Sequence, residues 1–359
     1  MIESEEYKED LIKIAMKLER IPQSFPKDES GAPTETYLEY LSLMYDPEIA
    51  KLVFHLPVFP KTISLVRFAK KVGMDKTELM NKVEDLTKRG FIIKLGKSYA
   101  QPMPLFVYDM PFILKKNIEN KDVKRFAELS RKFFVDDKYY NTWQTSRKGT
   151  PRLRVLTVSE EIESEKEIVP IEEVYKIIDK WNDFAIIPCP CRQRTEVEGI
   201  RECKDKYPIH NCTLIGPLAK AVLEMNDPDI KSATREEIKN LTKEASKVGL
   251  VHCTDNQAEN TSILCACCEC CCGMIRGLTR FDNPRAIARA NFISKVDEEL
   301  CVACGTCLER CKFEAIEIND KAVINSDKCV GCGLCAVTCP EEALSMLRFE
   351  REDIPGATS

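Results

Sequence analysis

Two segments near the C-terminal end of the chain repeat the same cysteine spacing at an interval of 28 residues. In each segment three cysteines follow one another with two residues between them, and a fourth comes after three more residues. Three thiols spaced in this way fit on one turning loop around a common centre, whereas the fourth lies beyond the loop. The repeat therefore predicts two metal centres that share the two segments. The cysteines are Cys301, Cys304, Cys307 and Cys311 in the first segment and Cys329, Cys332, Cys335 and Cys339 in the second.

All 19 cysteines of the 359-residue chain lie between Cys189 and Cys339. The N-terminus is acidic and lacks the basic and then apolar segments of a signal peptide, so we expect a cytoplasmic protein. The cytosol keeps thiols reduced, and an odd number of cysteines is poorly suited to a disulfide framework. Cysteines at this density therefore indicate metal binding, and no apolar run of the sequence is long enough to span a bilayer.

The repeated segments resemble the bacterial two-cluster 4Fe–4S ferredoxin family over about sixty residues. The resemblance implies that the fourth cysteine of each segment binds the cluster held by the other segment. Lys312 departs from the family pattern, because a proline usually follows the fourth cysteine. Zinc is the alternative ion for four cysteines, but the duplicated rhythm favours iron. The predicted ligand sets are Cys301, Cys304, Cys307 and Cys339 for one cluster, and Cys329, Cys332, Cys335 and Cys311 for the other.

Eleven further cysteines occupy the middle of the chain and leave more than one grouping open. Adjacent cysteines point in different directions, so one metal centre cannot use a whole run unless the loop wraps around it. We expect one or two further 4Fe–4S clusters, or a zinc site, in this region. One grouping joins Cys189, Cys191, Cys203 and Cys212. The other uses a dense cysteine run together with Cys253, and mixed groupings between the two are equally open. The run comprises Cys265, Cys267, Cys268, Cys270, Cys271 and Cys272.

Three segments of this region resemble a group of 4Fe–4S binding proteins of anaerobic bacteria and archaea. They are Cys189-Pro190-Cys191-Arg192, Gly249-Leu250-Val251-His252 and the cysteine run. The resemblance covers about residues 185–345 and implies redox work in anaerobic metabolism, without a particular substrate. His252 is a candidate for binding a cluster or tuning one through a hydrogen bond, and a packed role is the alternative. Arg192 is a candidate for donating to cluster sulfur or binding an anion, and a surface role is the alternative.

The region before the first cysteine predicts helices followed by a small hairpin. Thr62 and Asp75 are suited to cap two successive helices, and Gly96-Lys97 lies at a tight turn between two short strands. This order, together with the phrase Leu86-Thr87-Lys88-Arg89-Gly90-Phe91-Ile92, resembles the winged-helix family over about fifty residues. The resemblance implies a fold and leaves the function of the domain open.

Charge is unevenly distributed, although the net charge is only −5. Residues 48–100 carry eleven basic and five acidic side chains, whereas residues 297–359 carry six basic and thirteen acidic ones. The acidic C-terminal segment predicts docking to a basic surface of a redox partner protein. The basic segment suits nucleic-acid phosphates, but its second helix, over 76–89, has a net charge of only +1.

These patterns together predict a multidomain α+β protein. A helical and winged-helix-like domain is expected over 1–117, a mixed α/β cysteine-rich domain over 118–295, and a ferredoxin-like two-cluster domain over 296–359. In the middle domain, Thr234 and Glu237 predict a capping box at the start of a helix. Three functions fit: a non-catalytic electron-transfer protein or subunit, a redox-sensing regulator that binds DNA, and an oxidoreductase with its own substrate site in the middle domain.

Overall fold

The structure is a computed structural model that describes residues 2–19, 25–145, 149–158, 174–256, 261–349 and 351. The described residues combine helices with strands, which confirms the predicted α+β class. Residue contacts divide the chain into two compact units. Unit 1 comprises Met1–Arg147, Pro188–Arg201 and Ala221–Lys231, and unit 2 comprises Lys148–Ile187, Glu202–Lys220 and Ser232–Ser359. The three-domain division over 1–117, 118–295 and 296–359 stays a prediction.

The described residues form the following elements. The helices are α1 (Glu5–Leu18), α2 (Glu35–Ser42), α3 (Pro47–Val53), α4 (Leu65–Val72), α5 (Lys76–Lys88), α6 (Pro104–Asp109), α7 (Lys115–Ile118), α8 (Val123–Arg131), α9 (Tyr140–Trp143), α10 (Val174–Lys180), α11 (Pro190–Val197), α12 (Pro217–Leu223), α13 (Arg235–Lys247), α14 (Ile275–Thr279) and α15 (Thr306–Arg310). The strands are β1 (Ile63–Ser64), β2 (Ile93–Leu95), β3 (Ser98–Ala100), β4 (Leu153–Val155), β5 (Phe184–Pro188), β6 (His210–Ile215), β7 (Lys231–Ala233), β8 (Val251–Asp255), β9 (Ile263–Cys267), β10 (Phe292–Val296), β11 (Ile316–Ile318), β12 (Ala322–Ile324) and β13 (Leu344–Arg348). None of the described helices combines the length and the apolar character that crossing a membrane would need.

A three-stranded antiparallel sheet accompanies two helices in the first part of unit 1. The strand order is β1–β3–β2, and α4 and α5 lie between β1 and β2 in the chain. Asp75 caps α5, because its carboxylate accepts hydrogen bonds from the backbone N–H groups of Thr77 and Glu78. The expected cap at Thr62 is wrong: Ser64 caps α4, since the short strand β1 precedes that helix. The winged-helix assignment of this region stays a prediction.

Helix α11 is held within unit 1 by a buried arginine. Arg194 forms a 2.9 Å ion pair with Asp109, and the two side chains are only 8 % and 13 % exposed. The guanidinium carbon lies 3.8 Å from the ring centre of Tyr108 and 4.5 Å from that of Phe112. Attraction to the two rings and to the carboxylate offsets the free-energy cost of removing this cation from water. These contacts fix α11, whose first turn carries Cys191.

A six-stranded sheet with the order β4–β8–β9–β6–β5–β7 forms the centre of unit 2. Strands β8 and β9 pair antiparallel, and β4 and β6 pair antiparallel with their outer edges. Ile177 of α10 and Ile238 of α13 share an apolar core with Phe184 of β5, so burial of apolar surface holds these helices on the sheet. The predicted capping box at the start of α13 is confirmed, because Thr234 and Glu237 bond to each other's backbone N–H groups.

Two small antiparallel sheets, each of two strands, form the C-terminal part of unit 2. Strands β11 and β12 pair antiparallel, where alternating apolar residues predict a hairpin. Strand β13 pairs along its whole length with β10. No predicted strand corresponds to β10, because its residues follow a cysteine-rich region in which apolar periodicity is obscured.

Candidate metal centres

Two cavities in the C-terminal part of unit 2 are each lined by four cysteines. In both cavities three cysteines come from one repeated segment and the fourth comes from the other segment. The other lining residues are mostly apolar, such as Leu344 in the first cavity and Leu334 in the second. Four thiols around an apolar cavity fit the donor set of a 4Fe–4S cluster, but the assignment of individual ligands stays a prediction. The first cavity has Cys301, Cys304, Cys307 and Cys339, and the second has Cys311, Cys329, Cys332 and Cys335.

Backbone amides of one hairpin donate hydrogen bonds to a sulfur atom at each cavity. The N–H of Ala315 donates to Cys311 Sγ over 3.3 Å, and the N–H of Ala322 donates to Cys301 Sγ over 3.5 Å. Such hydrogen bonds stabilise negative charge on a ligand sulfur and influence the reduction potential of a cluster. Ala315 directly precedes β11, and Ala322 is the first residue of β12. The β11–β12 hairpin therefore has an electrostatic role at both cavities.

Glycines allow the loop of the second cavity to approach the segment that follows β4. Gly333 has a φ of 79°, and a Cβ at this position would lie 2.2 Å from the carbonyl oxygen of Val158. The N–H of Val158 donates to the carbonyl oxygen of Cys332 over 3.1 Å. The hydroxyl of Thr157 donates to the carbonyl oxygen of Gly331 over 2.9 Å. Hydrogen bonds from the segment that follows β4 thus hold this cysteine loop in place.

We expect Gly333→Ala to prevent a cluster from binding in the second cavity. The new Cβ would overlap the carbonyl oxygen of Val158 and displace the loop that carries Cys332. The iron content per chain should fall by about four atoms. Iron and sulfide analysis of protein prepared without oxygen measures this loss.

The other repeated segment provides a matched control for this substitution. Gly305 lies 28 residues before Gly333 and has a φ of 82°, but nothing lies within 4 Å of a Cβ added there. Gly305→Ala therefore introduces backbone strain without the overlap, and it should retain its iron. Equal iron loss in both variants would mean that strain, and not contact with Val158, is responsible.

The two cavities differ in their exposure to solvent. Cys304 in the first cavity is exposed, whereas Cys335 in the second is buried. The hydrogen bond with Thr306 lowers the pKa of Cys304. Burial raises the pKa of Cys335 to about 11, although a hydrogen bond with Ser294 acts in the opposite direction. The first cavity thus has a cysteine at the surface, where a partner protein can approach it.

Lys312, which replaces the usual proline, forms an ion pair with the central cysteine run. Its Nζ lies 3.3 Å from Oε1 of Glu269, and the lysine side chain is only 12 % exposed. Lys312 directly follows Cys311, and Glu269 separates Cys268 from Cys270. The ion pair therefore connects the second cavity with the central cysteines inside unit 2.

We expect Lys312→Gln to lower the reduction potential of the cluster bound in the second cavity. Loss of the cation leaves the carboxylate of Glu269 uncompensated, and nearby negative charge disfavours the addition of an electron. The shift should be on the order of 50 mV, measured by redox titration with EPR detection. Lys295→Gln removes an exposed lysine of β10 and is the control, because solvent and salt screen exposed charges. A shift of the same size in the control would contradict this explanation.

Four central cysteines converge in one buried set, which we name the four-thiol group. Its sulfur atoms all lie within 4.8 Å of one another. The Sγ of Cys203 lies 3.8 Å from that of Cys268 and 3.7 Å from that of Cys271, and the sulfurs of Cys270 and Cys271 are 3.6 Å apart. Three members follow β9, where the chain turns and the N–H of Cys272 bonds to the carbonyl oxygen of Cys268. The members are Cys203, Cys268, Cys270 and Cys271.

Five other central cysteines form a second set on and beside the sheet, which we name the five-thiol group. Its members are Cys212, Cys253, Cys265, Cys267 and Cys272. Cys253 of β8 lies directly opposite Cys265 of β9, and Cys267 shares the face of Cys265 because alternate strand residues point the same way. Hydrogen bonds between thiols link Cys265 to Cys212, and Cys267 to Cys253 and Cys272. Strands β8 and β9 are absent from the predictions made from the sequence, although the alternation of Cys265 and Cys267 is a signal for one.

The five-thiol group interacts electrostatically with the second cavity. A hydrogen bond from Cys267 lowers the pKa of Cys253, but burial and the charges of Cys272, Cys265 and Cys332 raise it above its ordinary value. Cys332 lines the second cavity. The central sheet therefore brings the cysteines of these two sites within electrostatic reach of each other.

Cys189 and Cys191 belong to unit 1 and lie at the start of α11. A hydrogen bond with Cys191 and burial raise the pKa of Cys189, whereas the charge of Arg192 lowers it. Arg192 is fully buried, which rules out the surface alternative for this residue. One open grouping joins Cys189 and Cys191 with Cys203 and Cys212. Of these, Cys203 belongs to the four-thiol group and Cys212 to the five-thiol group.

His252 has a hydrogen-bonding partner other than a cysteine. Its Nε2 lies 3.0 Å from the hydroxyl oxygen of Ser246, and the ring is buried. Burial lowers the pKa of His252 to about 4, so the imidazole is neutral at neutral pH. These surroundings favour the packed role of this histidine over direct binding of a cluster.

Comparison with known proteins addresses the C-terminal part of the chain. A family model described as a 4Fe-4S dicluster domain matches residues 294–346, which include all eight repeated cysteines. No curated protein and no solved structure matches the chain. The family match supports iron–sulfur clusters as cofactors and electron transfer as their chemistry. The C-terminal part of the chain is therefore a ferredoxin-like domain.

Proposed function

We propose that the protein is an iron–sulfur electron-transfer protein or subunit of anaerobic metabolism. Electrons would pass between a redox partner, two clusters in the ferredoxin-like domain and a further cluster in the five-thiol group. The observation that carries this proposal is the pair of four-cysteine cavities within the residues that match the dicluster family. One-electron transfer is the chemistry that such paired clusters supply.

The surroundings of the two cavities support an order for this transfer. Cys304 is exposed, so the first cavity is suited to exchange electrons with a partner. Cys332 of the second cavity interacts with Cys253 of the five-thiol group, which we propose as the site of a further cluster. The order from the surface inward would then be first cavity, second cavity and five-thiol group.

The partner proposed here docks through a basic surface. Glu298 and Glu299 are exposed beside the first cysteine loop, and exposed Glu341 lines the first cavity. Carboxylates around an electron-exchange site attract a complementary cationic surface and speed the encounter. Association with the partner should therefore weaken as the salt concentration rises.

The proposed winged-helix region would serve as a docking domain for another protein. Lysines of its helix α5 are paired with carboxylates: Lys82 lies 2.6 Å from Glu48, and Lys88 lies 2.7 Å from Glu84. These pairs reduce the positive charge that is available to phosphates. Salt-sensitive binding of duplex DNA, measured by fluorescence anisotropy, would instead favour the redox-sensing regulator.

Metal analysis and EPR of protein purified without oxygen test the proposal directly. Two clusters in the ferredoxin-like domain correspond to about 8 iron atoms per chain, and a third would raise the number to about 12. The reduced protein should show EPR signals broadened by interaction between neighbouring clusters. Protein that holds no iron while its eight repeated cysteines are intact would refute the proposed function.

A further inference from the structure

The spacing of the four-thiol group differs from that of the ferredoxin cavities. Among the residues that the structure describes, it is the one set of potential metal ligands whose donor atoms all lie within 4.8 Å of one another. The four cysteines of either ferredoxin cavity surround a cavity and do not form so compact a set. The two arrangements therefore suit different metal centres.

The compact spacing matches one tetrahedral ion. Two thiolate sulfurs bound to the same zinc at about 2.3 Å lie about 3.8 Å apart when the geometry is tetrahedral. Three of the six Sγ–Sγ distances in the group are 3.8, 3.7 and 3.6 Å, and the other three are no longer than 4.8 Å. In a four-iron cube each thiolate binds a different iron, so the ligand sulfurs must lie farther apart.

We propose that Cys203, Cys268, Cys270 and Cys271 bind a single structural zinc ion. All four thiols are buried, and together they complete a tetrahedral set without an open position for substrate. Zinc has no accessible redox change, so these cysteines lie outside the electron route. The proposal does not depend on the proposed electron-transfer function.

Four thiolates bound to one divalent ion carry a net negative charge, and an arginine near the group compensates it. Arg280 forms two hydrogen bonds, of 2.6 and 2.7 Å, with Glu202, the residue before Cys203. The same guanidinium interacts electrostatically with Cys270 and Cys271. Arg280 thus compensates negative charge and also ties the segment before β6 to the segment after β9.

The position of the site indicates what the ion would stabilise. Cys203 and the cysteine run belong to separate segments of unit 2, so an ion between them closes a loop of about sixty residues. Glu269, inside the run, reaches Lys312 beside the second cavity. The zinc would therefore hold the cysteine run in the position from which it contacts the ferredoxin-like domain.

Zinc and iron analysis of the full-length protein and its Cys270→Ser variant tests this assignment. The wild type should contain about one zinc per chain, and Cys270→Ser should lose it while retaining the iron of the ferredoxin-like domain. Cys304→Ser is the matched control, since it should lose iron from the first cavity and keep the zinc. This pattern separates the zinc site from the proposed clusters.

Two results would overturn the proposal. One is a wild type without zinc, in which Cys270→Ser lowers the iron content instead. The other is zinc that persists in both Cys270→Ser and Cys203→Ser. Should these variants be insoluble, X-ray absorption at the zinc edge of the wild type decides the matter: four sulfur neighbours at about 2.3 Å support the site, and nitrogen or oxygen neighbours overturn it.

Discussion

Cys339→Ala is expected to remove about four iron atoms per chain, and the cluster lost should be the one bound by the other repeated segment. Cys339 lines the first cavity, whose three other cysteines come from that segment. A cluster with three of its four thiolates is open to solvent and to loss of iron. The EPR spectrum of the reduced variant should change from that of two interacting clusters to that of one isolated cluster.

A double variant identifies which cluster Cys339 serves. If Cys304 and Cys339 hold the same cluster, Cys304→Ala/Cys339→Ala should lose about four iron atoms, as either single variant does. Cys304→Ala/Cys311→Ala is the matched comparison and should lose about eight, because Cys311 lines the second cavity. Loss of eight iron atoms from the first double variant would show that each segment binds its own cluster.

Arg194→Ala should lower the free energy of unfolding of unit 1 by about 4 kcal/mol, because it leaves a buried carboxylate without its partner. The carboxylate belongs to Asp109, which lies 2.9 Å from the guanidinium and is 13 % exposed. The substitution also removes the cation that lies between the rings of Tyr108 and Phe112. The first transition of the full chain in urea, followed under anaerobic conditions, measures the loss.

Two further variants separate burial of charge from loss of contact. Arg125→Ala removes an exposed arginine that pairs with Glu39 at 2.6 Å, and it should cost less than about 1 kcal/mol. Arg194→Met/Asp109→Asn removes both buried charges and should recover much of the stability lost in Arg194→Ala. If the double variant is as unstable as Arg194→Ala, packing and not the unpaired carboxylate explains the loss.

Local sequence signals were sufficient where a structural feature depends on neighbouring residues. The capping box of Thr234 and Glu237 and the cap at Asp75 involve side chains within three residues of the backbone groups that they bind. Prediction failed at Thr62, because pairing of β1 with the distant strand β3 makes Ser64 the N-cap of α4. The choice between a surface role and a buried role for Arg192 stays open in the sequence for a related reason, since burial depends on packing between segments far apart in the chain.

The cysteine spacing by itself determined that the chain has a dicluster domain at its C-terminal end, because all the information lies in two short repeated loops. The arrangement of the central cysteines was decided by the tertiary structure. Pairing of β8 with β9 places Cys253 opposite Cys265, and a turn after β9 brings Cys268 to Cys203, 65 residues earlier. Metal centres are defined by distances between sulfur atoms in space, and between remote segments those distances are set by sheet register and packing.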